Sequence, residues 1–119
     1  MAYDEFLVDR VRQVLNERQA IFFEKKMMGG LIFMVNEKMC VGVDIDKATG
    51  NSRIMARIGK EAYAKALREK GTREMDFTGT VMRGFVFIDP DGFDLDEDLE
   101  FWIDKALAFN VFAKKTNKK

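Results

Sequence analysis

The side chains that most often carry enzyme chemistry are scarce in this sequence. Its 119 residues include no histidine, one cysteine (Cys40) and one serine (Ser52). A Ser-His-Asp or Cys-His site cannot be assembled, because both need an imidazole to activate the nucleophile. A zinc site built from cysteine and histidine is excluded for the same reason. The sequence therefore predicts no catalytic residue, metal or cofactor, and an enzyme would have to rely on carboxylates or lysines.

Acidic residues crowd one stretch near the end of the chain, where calcium binding is the chemistry to consider. The stretch contains no base, and its eight acids are Asp89, Asp91, Asp94, Asp96, Glu97, Asp98, Glu100 and Asp104. If Gly92 were the invariant glycine of an EF-hand loop, the first ligand position would be Phe87 and the last Asp98. Neither residue fits its position. A turn at 89–92 and a helix with acids in its first turn explain the stretch better.

Two further patterns could hold a small ligand. Lys25-Lys26 stands before two glycines, but a P-loop leads into a helix, whereas these glycines lead into the apolar run 31–35, which is typical of a strand. Asp76 lies in a loop of otherwise apolar and small residues. The candidate ligand site comprises Lys25, Lys26, Arg57, Asp76, Thr78 and Gly79. The alternative role of Asp76 is to cap a turn.

The composition is that of one small globular domain. Hydrophobic residues make up 47% of the chain and charged residues 34%, and there is a single proline, so the chain can form a core and is far from a disordered composition. One cysteine cannot form an intrachain disulfide, which fits a reducing compartment. The N-terminus lacks a signal-peptide pattern, and no apolar run approaches the roughly 20 residues of a membrane span. We expect a cytoplasmic protein with one domain at 1–113 and a disordered basic tail at 114–119.

The charge distribution does not favour nucleic-acid binding. The formal net charge is zero, and residues 24–83 carry twelve bases against eight acids. A domain that binds DNA or RNA is usually basic, with its Lys and Arg side chains clustered on one face. Direct binding of nucleic acid is therefore not expected.

Hydrophobic periodicity predicts the order helix, strands, helix, strand, helix. The helices are expected at 4–18, 60–70 and 95–113, and the strands at 21–28, 31–35, 39–43, 53–58 and 85–88. The segment 72–84, rich in Thr and Gly, is interpreted as a loop. Asp94 is expected to cap the last helix in a capping box with Glu97. Short turns favour antiparallel pairing, so the predicted fold class is α+β, with an antiparallel sheet of about five strands and helices packed on it.

The last predicted helix carries apolar residues on two sides. At about 100° per residue, its broad core face comprises Leu95, Leu99, Trp102, Ile103, Ala106, Phe109 and Ala113. Phe101, Ala108 and Phe112 fall on roughly the opposite side, among charged residues. Two Phe side chains on one outward line indicate a second packed surface. We therefore predict that Phe101 and Phe112 form a partner or dimer surface.

Several groups of residues, in order along nearly the whole chain, resemble one known family. They are the segments 24–31, 33–36, 38–40, 57–59, 61–63 and 75–79, then Met82, Gly84, Asp89-Pro90, Trp102, Ala106-Leu107 and Phe109. This pattern resembles the N-terminal domain of TfoX (Sxy), a regulator of natural competence. The chain departs from the family at Glu37, where an Asn-Gly turn is common, and this departure predicts a different hairpin geometry.

The resemblance implies an α+β domain that forms a homodimer and takes part in transcriptional control of DNA-uptake genes. In that family the regulator works alongside the cyclic-AMP receptor protein and not through a DNA-reading motif of its own. The resemblance implies no catalytic residues. Full-length members carry a second, helical domain, and this chain ends where that domain would begin, so a stand-alone single-domain member is expected.

Three functional hypotheses follow. The first is a non-enzymatic regulatory module that binds a still unidentified protein partner, which the resemblance places in the transcription machinery. The second is a small-ligand-binding domain or an unrecognised enzyme that uses the loop 75–84. The third, direct DNA binding, is the least supported by the charges.

Overall fold

The computed structural model describes residues 3–27, 29–77 and 79–113. In this part of the chain there are four helices and six strands. The helices are α1 (Glu5–Glu17), α2 (Lys60–Ala66), α3 (Pro90–Phe93) and α4 (Asp96–Asn110). The strands are β1 (Phe22–Met27), β2 (Gly30–Val35), β3 (Lys38–Ile45), β4 (Ser52–Arg57), β5 (Thr72–Phe77) and β6 (Thr80–Ile88). The predicted basic tail at 114–119 lies outside the described residues.

All six strands form one antiparallel sheet in the order β1-β2-β3-β4-β6-β5. The predicted fold class, α+β with an antiparallel sheet and packed helices, is confirmed. The expected loop at 72–84 is instead β5 and the first half of β6. Its pattern is hard to recognise because a register shift between Glu74 and Asp76 interrupts the alternation of side chains.

The turn between β2 and β3 corrects a second expectation. Val35 pairs with Lys38, so the loop has two residues, Asn36 and Glu37, with φ of 53° and 65°. Positive φ at both positions is what a type I′ hairpin turn requires. The different hairpin geometry expected from Glu37 is therefore wrong, because the tight two-residue connection imposes the left-handed conformation on a residue other than glycine.

One face of the sheet is covered by helices. The main core joins buried strand residues such as Phe33, Val41 and Ile54 to Trp102 and Ile103 of α4. The indole Nε1 of Trp102 donates a hydrogen bond of 3.2 Å to a buried carbonyl oxygen, so this ring is buried without an unpaired polar group. Helix α1 packs on α4, and α2 on β6.

The other face of the sheet carries a separate apolar cluster. Its buried members, Ile32, Met39, Met55, Met75 and Phe87, come from β2, β3, β4, β5 and β6 respectively. We call this surface the methionine face. Since methionine side chains are flexible, they can cover one another on a curved sheet without an overlying helix.

The start of α4 differs from the prediction. The helix begins at Asp96 after Leu95, whose position carries no side-chain capping bond, so the expected cap by Asp94 is wrong. The expected turn at 89–92 is the short helix α3, with Pro90 at a first-turn position that needs no N–H donor. Leu95, expected in the core, is 59% exposed because it precedes the helix.

Helix α1 agrees with the prediction within one residue at each end. Asp4 caps it by accepting a hydrogen bond of 2.9 Å from the Phe6 N–H. At its other end Gln19 has φ of 60°, and the Ala20 N–H donates to the Leu15 carbonyl at 3.0 Å. This Schellman arrangement usually has glycine at the left-handed position. No helix in the described ranges is long and apolar enough to cross a membrane.

Candidate functional site

A groove of about 920 Å³ lies between α2, β6 and the end of α4. We call it the α2–α4 groove. Its apolar lining includes the rings of Phe85, Phe109 and Phe112. Its charged lining consists of Arg57, Lys60, Glu61, Arg83 and Lys105. Four cations against one carboxylate make this groove basic.

The groove depends on two glycines, Gly59 after β4 and Gly84 in β6. Ile58 and Gly59 donate their N–H groups to the Gly84 carbonyl at 2.8 and 3.1 Å. Gly59 has φ of 88° and ψ of 160°, a conformation essentially restricted to glycine. A Cβ atom on Gly59 would lie 2.5 Å from Cδ1 of Phe109. The bare backbone at this point therefore allows the Phe109 ring to pack against the floor of the groove.

Arg57 contacts two of the aromatic rings that line the groove. Its guanidinium lies 5.3 Å from the centre of the Phe85 ring and 5.8 Å from that of Phe109. Burial lowers the pKa of Arg57 from its usual value. An arginine has so high an ordinary pKa that it nevertheless stays charged at neutral pH. The ring faces therefore already hold a cation.

The remaining cations of the groove differ from the arginines that form ion pairs elsewhere in the protein. Lys60, Arg83 and Lys105 form no ion pair with any residue in the described ranges. By contrast, Arg12 bonds Glu24 in two places, at 2.5 and 2.8 Å. The positive charge of the groove is thus left for a ligand to neutralise.

An exposed row of side chains runs along α4 beside the groove. Phe101, Lys105, Ala108 and Phe112 follow one another at helical spacing, and we call this row the outer stripe. Phe101 is 40% exposed and Phe112 is 78% exposed. The Lys105 ammonium lies 5.2 Å from the Phe101 ring centre. Both Phe side chains thus lie at the surface, and their role in binding a partner stays a prediction.

A second, smaller cavity of about 400 Å³ lies on the methionine face. Asp44 and Arg53 form an ion pair of 2.8 Å at its edge, and the Arg53 guanidinium lies 3.6 Å from the Phe87 ring centre. Asp46, which lines the same cavity, accepts a hydrogen bond from the Ala48 N–H, and this bond is the main reason that its pKa is lowered. These charged groups neutralise one another, so their arrangement stabilises the fold.

The residues of the predicted ligand site are distributed over several places. Asp76 lines the cavity on the methionine face, whereas Arg57 lines the α2–α4 groove. Lys25 and Lys26 are exposed on the edge strand β1 and line neither concavity. Gly79 lies at the turn between β5 and β6, with φ of 80°. Thr78 is outside the described residues.

Sequence reasoning missed most of the α2–α4 groove. Lys60, Arg83 and Lys105 are ordinary charged residues in the sequence, and they meet only because β6 pairs with β4 and α4 crosses the sheet. A signal was available in Gly59 and Gly84, which interrupt the apolar pattern at the ends of two paired segments.

The family profile of the TfoX N-terminal domain matches residues 22–110, from β1 to the end of α4. The chain belongs to the TfoX N-terminal domain family. Apart from Phe112, every residue that lines the α2–α4 groove lies inside the matched range. A comparison with curated proteins found no significant match.

Proposed function

We propose that this TfoX N-terminal domain is a non-enzymatic regulatory module that binds other proteins through the outer stripe of α4. The observation that carries the proposal is the exposure of Phe101 on the outer side of α4 and of Phe112 two residues beyond its end, while the opposite side of the helix is buried. Burying a Phe side chain fully contributes about 1.5–3 kcal/mol, so two such rings are a useful anchor for association.

The proposal includes two binding events. The outer stripe would join two copies of the chain in a homodimer, and it would also contact a protein of the transcription machinery. Membership of the TfoX N-terminal domain family supports a regulatory role, because the resemblance to competence regulators implies transcriptional control of DNA uptake. The scarcity of catalytic side chains in the sequence is consistent with a binding role.

The test compares wild type with a Phe101→Asp, Phe112→Asp double variant. Light scattering gives the mass in solution, and affinity capture from cell extract gives the proteins bound. Phe6→Asp is a matched control, because Phe6 is 72% exposed and lies on α1. We expect the double variant, but not the control, to become monomeric and to lose its partners, while circular dichroism stays unchanged. An unchanged mass with unchanged partners would refute the surface.

A second candidate function is small-ligand binding on the methionine face. The observation in its favour is the cavity of about 400 Å³, which has an apolar floor that includes Met55, Met75 and Phe87 and carries Asp76 in its lining. The floor offers apolar contact and the charged side chains of the lining offer polar contact, a combination that suits a small molecule with both kinds of group. An NMR fragment screen should shift amide signals around this cavity in wild type and less in Asp76→Asn. Hits that map elsewhere, or no hits, would remove this candidate.

A further inference from the structure

We infer that the α2–α4 groove binds an acidic peptide segment that carries at least one large apolar side chain. The inference rests on the proposed protein-binding function and adds the chemistry of the partner. It uses residues that the outer stripe does not contain, mainly Arg57, Lys60, Arg83 and Phe109.

The charge of the groove selects for an anion. Three of its four cations, Lys60, Arg83 and Lys105, have no ion-pair partner among the described residues, and Glu61 is the only carboxylate in the lining. Complementary charge speeds encounter and rejects partners of the wrong sign. A partner with several Asp or Glu side chains is therefore favoured over a neutral or basic one.

The apolar part of the lining selects for a hydrophobic side chain between the acids. Phe85 and Phe109 are half-buried and form one wall, while Phe112 is exposed at the rim. The groove opens to solvent along its length, whereas a small molecule is usually enclosed by its site. A peptide segment can pack one apolar side chain against the exposed Phe112 ring at the rim while its carboxylates reach the surrounding cations.

A nucleic acid fits the same groove less well. Bases bind to proteins by stacking on aromatic faces, but the Arg57 guanidinium already lies over Phe85 and Phe109. The N-terminal half of α4 also carries many carboxylates, among them Glu97 and Asp98, which would repel a long polyanion passing the groove. A short acidic segment avoids both obstacles.

A second copy of this chain is a weaker candidate for the occupant. Its acid-rich stretch is folded into α3 and α4, and four of the acids pair with bases of the same molecule. Arg73 pairs with Asp89 at 2.7 Å and Arg10 with Asp96 at 3.1 Å. Arg18 pairs with Asp104 at 2.7 Å and with Glu100 at 3.2 Å. The stretch is therefore not free to lie in the groove of another copy as an extended segment.

The test selects binders for the whole protein from a phage-displayed library of random dodecapeptides. The affinity of an enriched, fluorescently labelled peptide is then measured by anisotropy for wild type and for a Lys60→Glu, Arg83→Glu variant. The control, Lys26→Glu with Arg68→Glu, has the same change in net charge at residues that do not line the groove. We expect enriched peptides to be acidic with at least one Leu, Ile, Phe or Trp.

We expect the groove variant to lose about tenfold or more in affinity, because two attractions become repulsions, and the control to change much less. Enrichment without an acidic bias, no enrichment, or equal binding by both variants would overturn the inference. Displacement of the peptide by a single-stranded oligothymidylate that binds more tightly would make the groove a nucleic-acid site and would also overturn it. Self-association of wild type in light scattering that excess peptide reverses and that the groove variant lacks would identify a second copy as the occupant, with the same consequence.

The outcomes for the two proposals can be separated with Phe101→Asp alone. Phe101 belongs to the outer stripe but does not line the groove. If this variant loses its partners while the groove variant keeps them, the proposed function stands and the inference fails. If the groove variant loses peptide binding while Phe101→Asp changes nothing, the groove is the binding surface and the outer stripe is not.

Discussion

Replacing Gly59 by alanine should destabilise the protein far more than a single added methyl group suggests. The backbone of Gly59 has φ of 88° and ψ of 160°, which costs about 1–3 kcal/mol for any residue other than glycine. The new Cβ atom would also lie 2.5 Å from Cδ1 and 2.6 Å from Cε1 of Phe109. Forcing a methyl group into a packed site adds about 1–3 kcal/mol. The expected loss of unfolding free energy is therefore about 2–6 kcal/mol.

Gly50 provides a matched control for the backbone part of this cost. Its φ is 78°, and a Cβ atom built there meets no atom within 4 Å. Gly50→Ala should therefore lose only the left-handed conformational penalty, about 1–2 kcal/mol. Urea unfolding followed by circular dichroism measures both variants. Losses that agree within about 0.5 kcal/mol would refute the tight contact between Gly59 and Phe109.

A double-mutant cycle isolates the steric part. In a Phe109→Ala background the ring is gone, so Gly59→Ala should cost only its backbone penalty. The cycle should therefore give a coupling of about 1–3 kcal/mol between the two positions. A coupling near zero would mean that Phe109 moves aside without cost. The lining of the groove would then be deformable and unable to select one kind of side chain.

The remaining predictions concern single side chains in three other places. Gln19→Gly should stabilise the protein by about 0.5–1 kcal/mol in urea unfolding, because φ is 60° at this position and glycine adopts a positive φ without strain. As a control, Gln13→Gly inside α1 should destabilise the protein by about 1 kcal/mol. Asn110→Leu should cost about 2 kcal/mol in the same assay, since its buried amide donates to the Val35 carbonyl at 3.1 Å. Burial raises the pKa of the Cys40 thiol to about 12, so an alkylating reagent should modify Cys40 only after denaturation.

The pH dependence that Cys40 contributes has a definite sign. An unfolded thiol has a pKa of about 8.5, below the value in the folded protein, so the unfolded chain releases its proton first. The stabilisation that the buried thiol contributes is complete below the unfolded pKa of about 8.5 and is lost as the pH rises toward 12. Unfolding free energies measured from neutral to alkaline pH should therefore fall more steeply for wild type than for Cys40→Ala. Parallel curves, or alkylation of the folded protein, would contradict the burial of this thiol.

The predictions for Gln19→Gly and Asn110→Leu each have an outcome that would contradict them. A destabilised Gln19→Gly variant would mean that the left-handed residue after α1 is not strained. An Asn110→Leu variant with unchanged stability would mean that the carbonyl of Val35 finds another donor, so the hydrogen bond at the end of α4 does not position this helix.

Local patterns in the sequence were sufficient for the regular elements. Helix α1 was predicted within one residue at each end because the spacing of its apolar residues is a local signal. The strand β2 was recognised from its continuous apolar run, which is buried on both sides. The outward positions of Phe101 and Phe112 also followed from helical spacing alone, and both are exposed.

Local patterns did not predict the elements whose structure depends on contacts with residues distant in the sequence. The hairpin of β5 and β6 carries a register shift, so its side chains do not alternate regularly and the segment was interpreted as a loop. The cap of α4 was misplaced because the short helix α3 moves the start of α4 by one residue. Local sequence signals cannot distinguish such alternatives when their free energies differ mainly through tertiary contacts.

The sequence by itself therefore determined the fold class, the family and the scarcity of catalytic side chains. These follow from composition, periodicity and residue types, which need no knowledge of contacts. Only the tertiary structure decided which residues line the proposed binding groove. It brings together residues near positions 58, 84 and 109. The shape of the groove depends on a backbone conformation at Gly59 that glycine permits but that only its contacts with Gly84 and Phe109 fix.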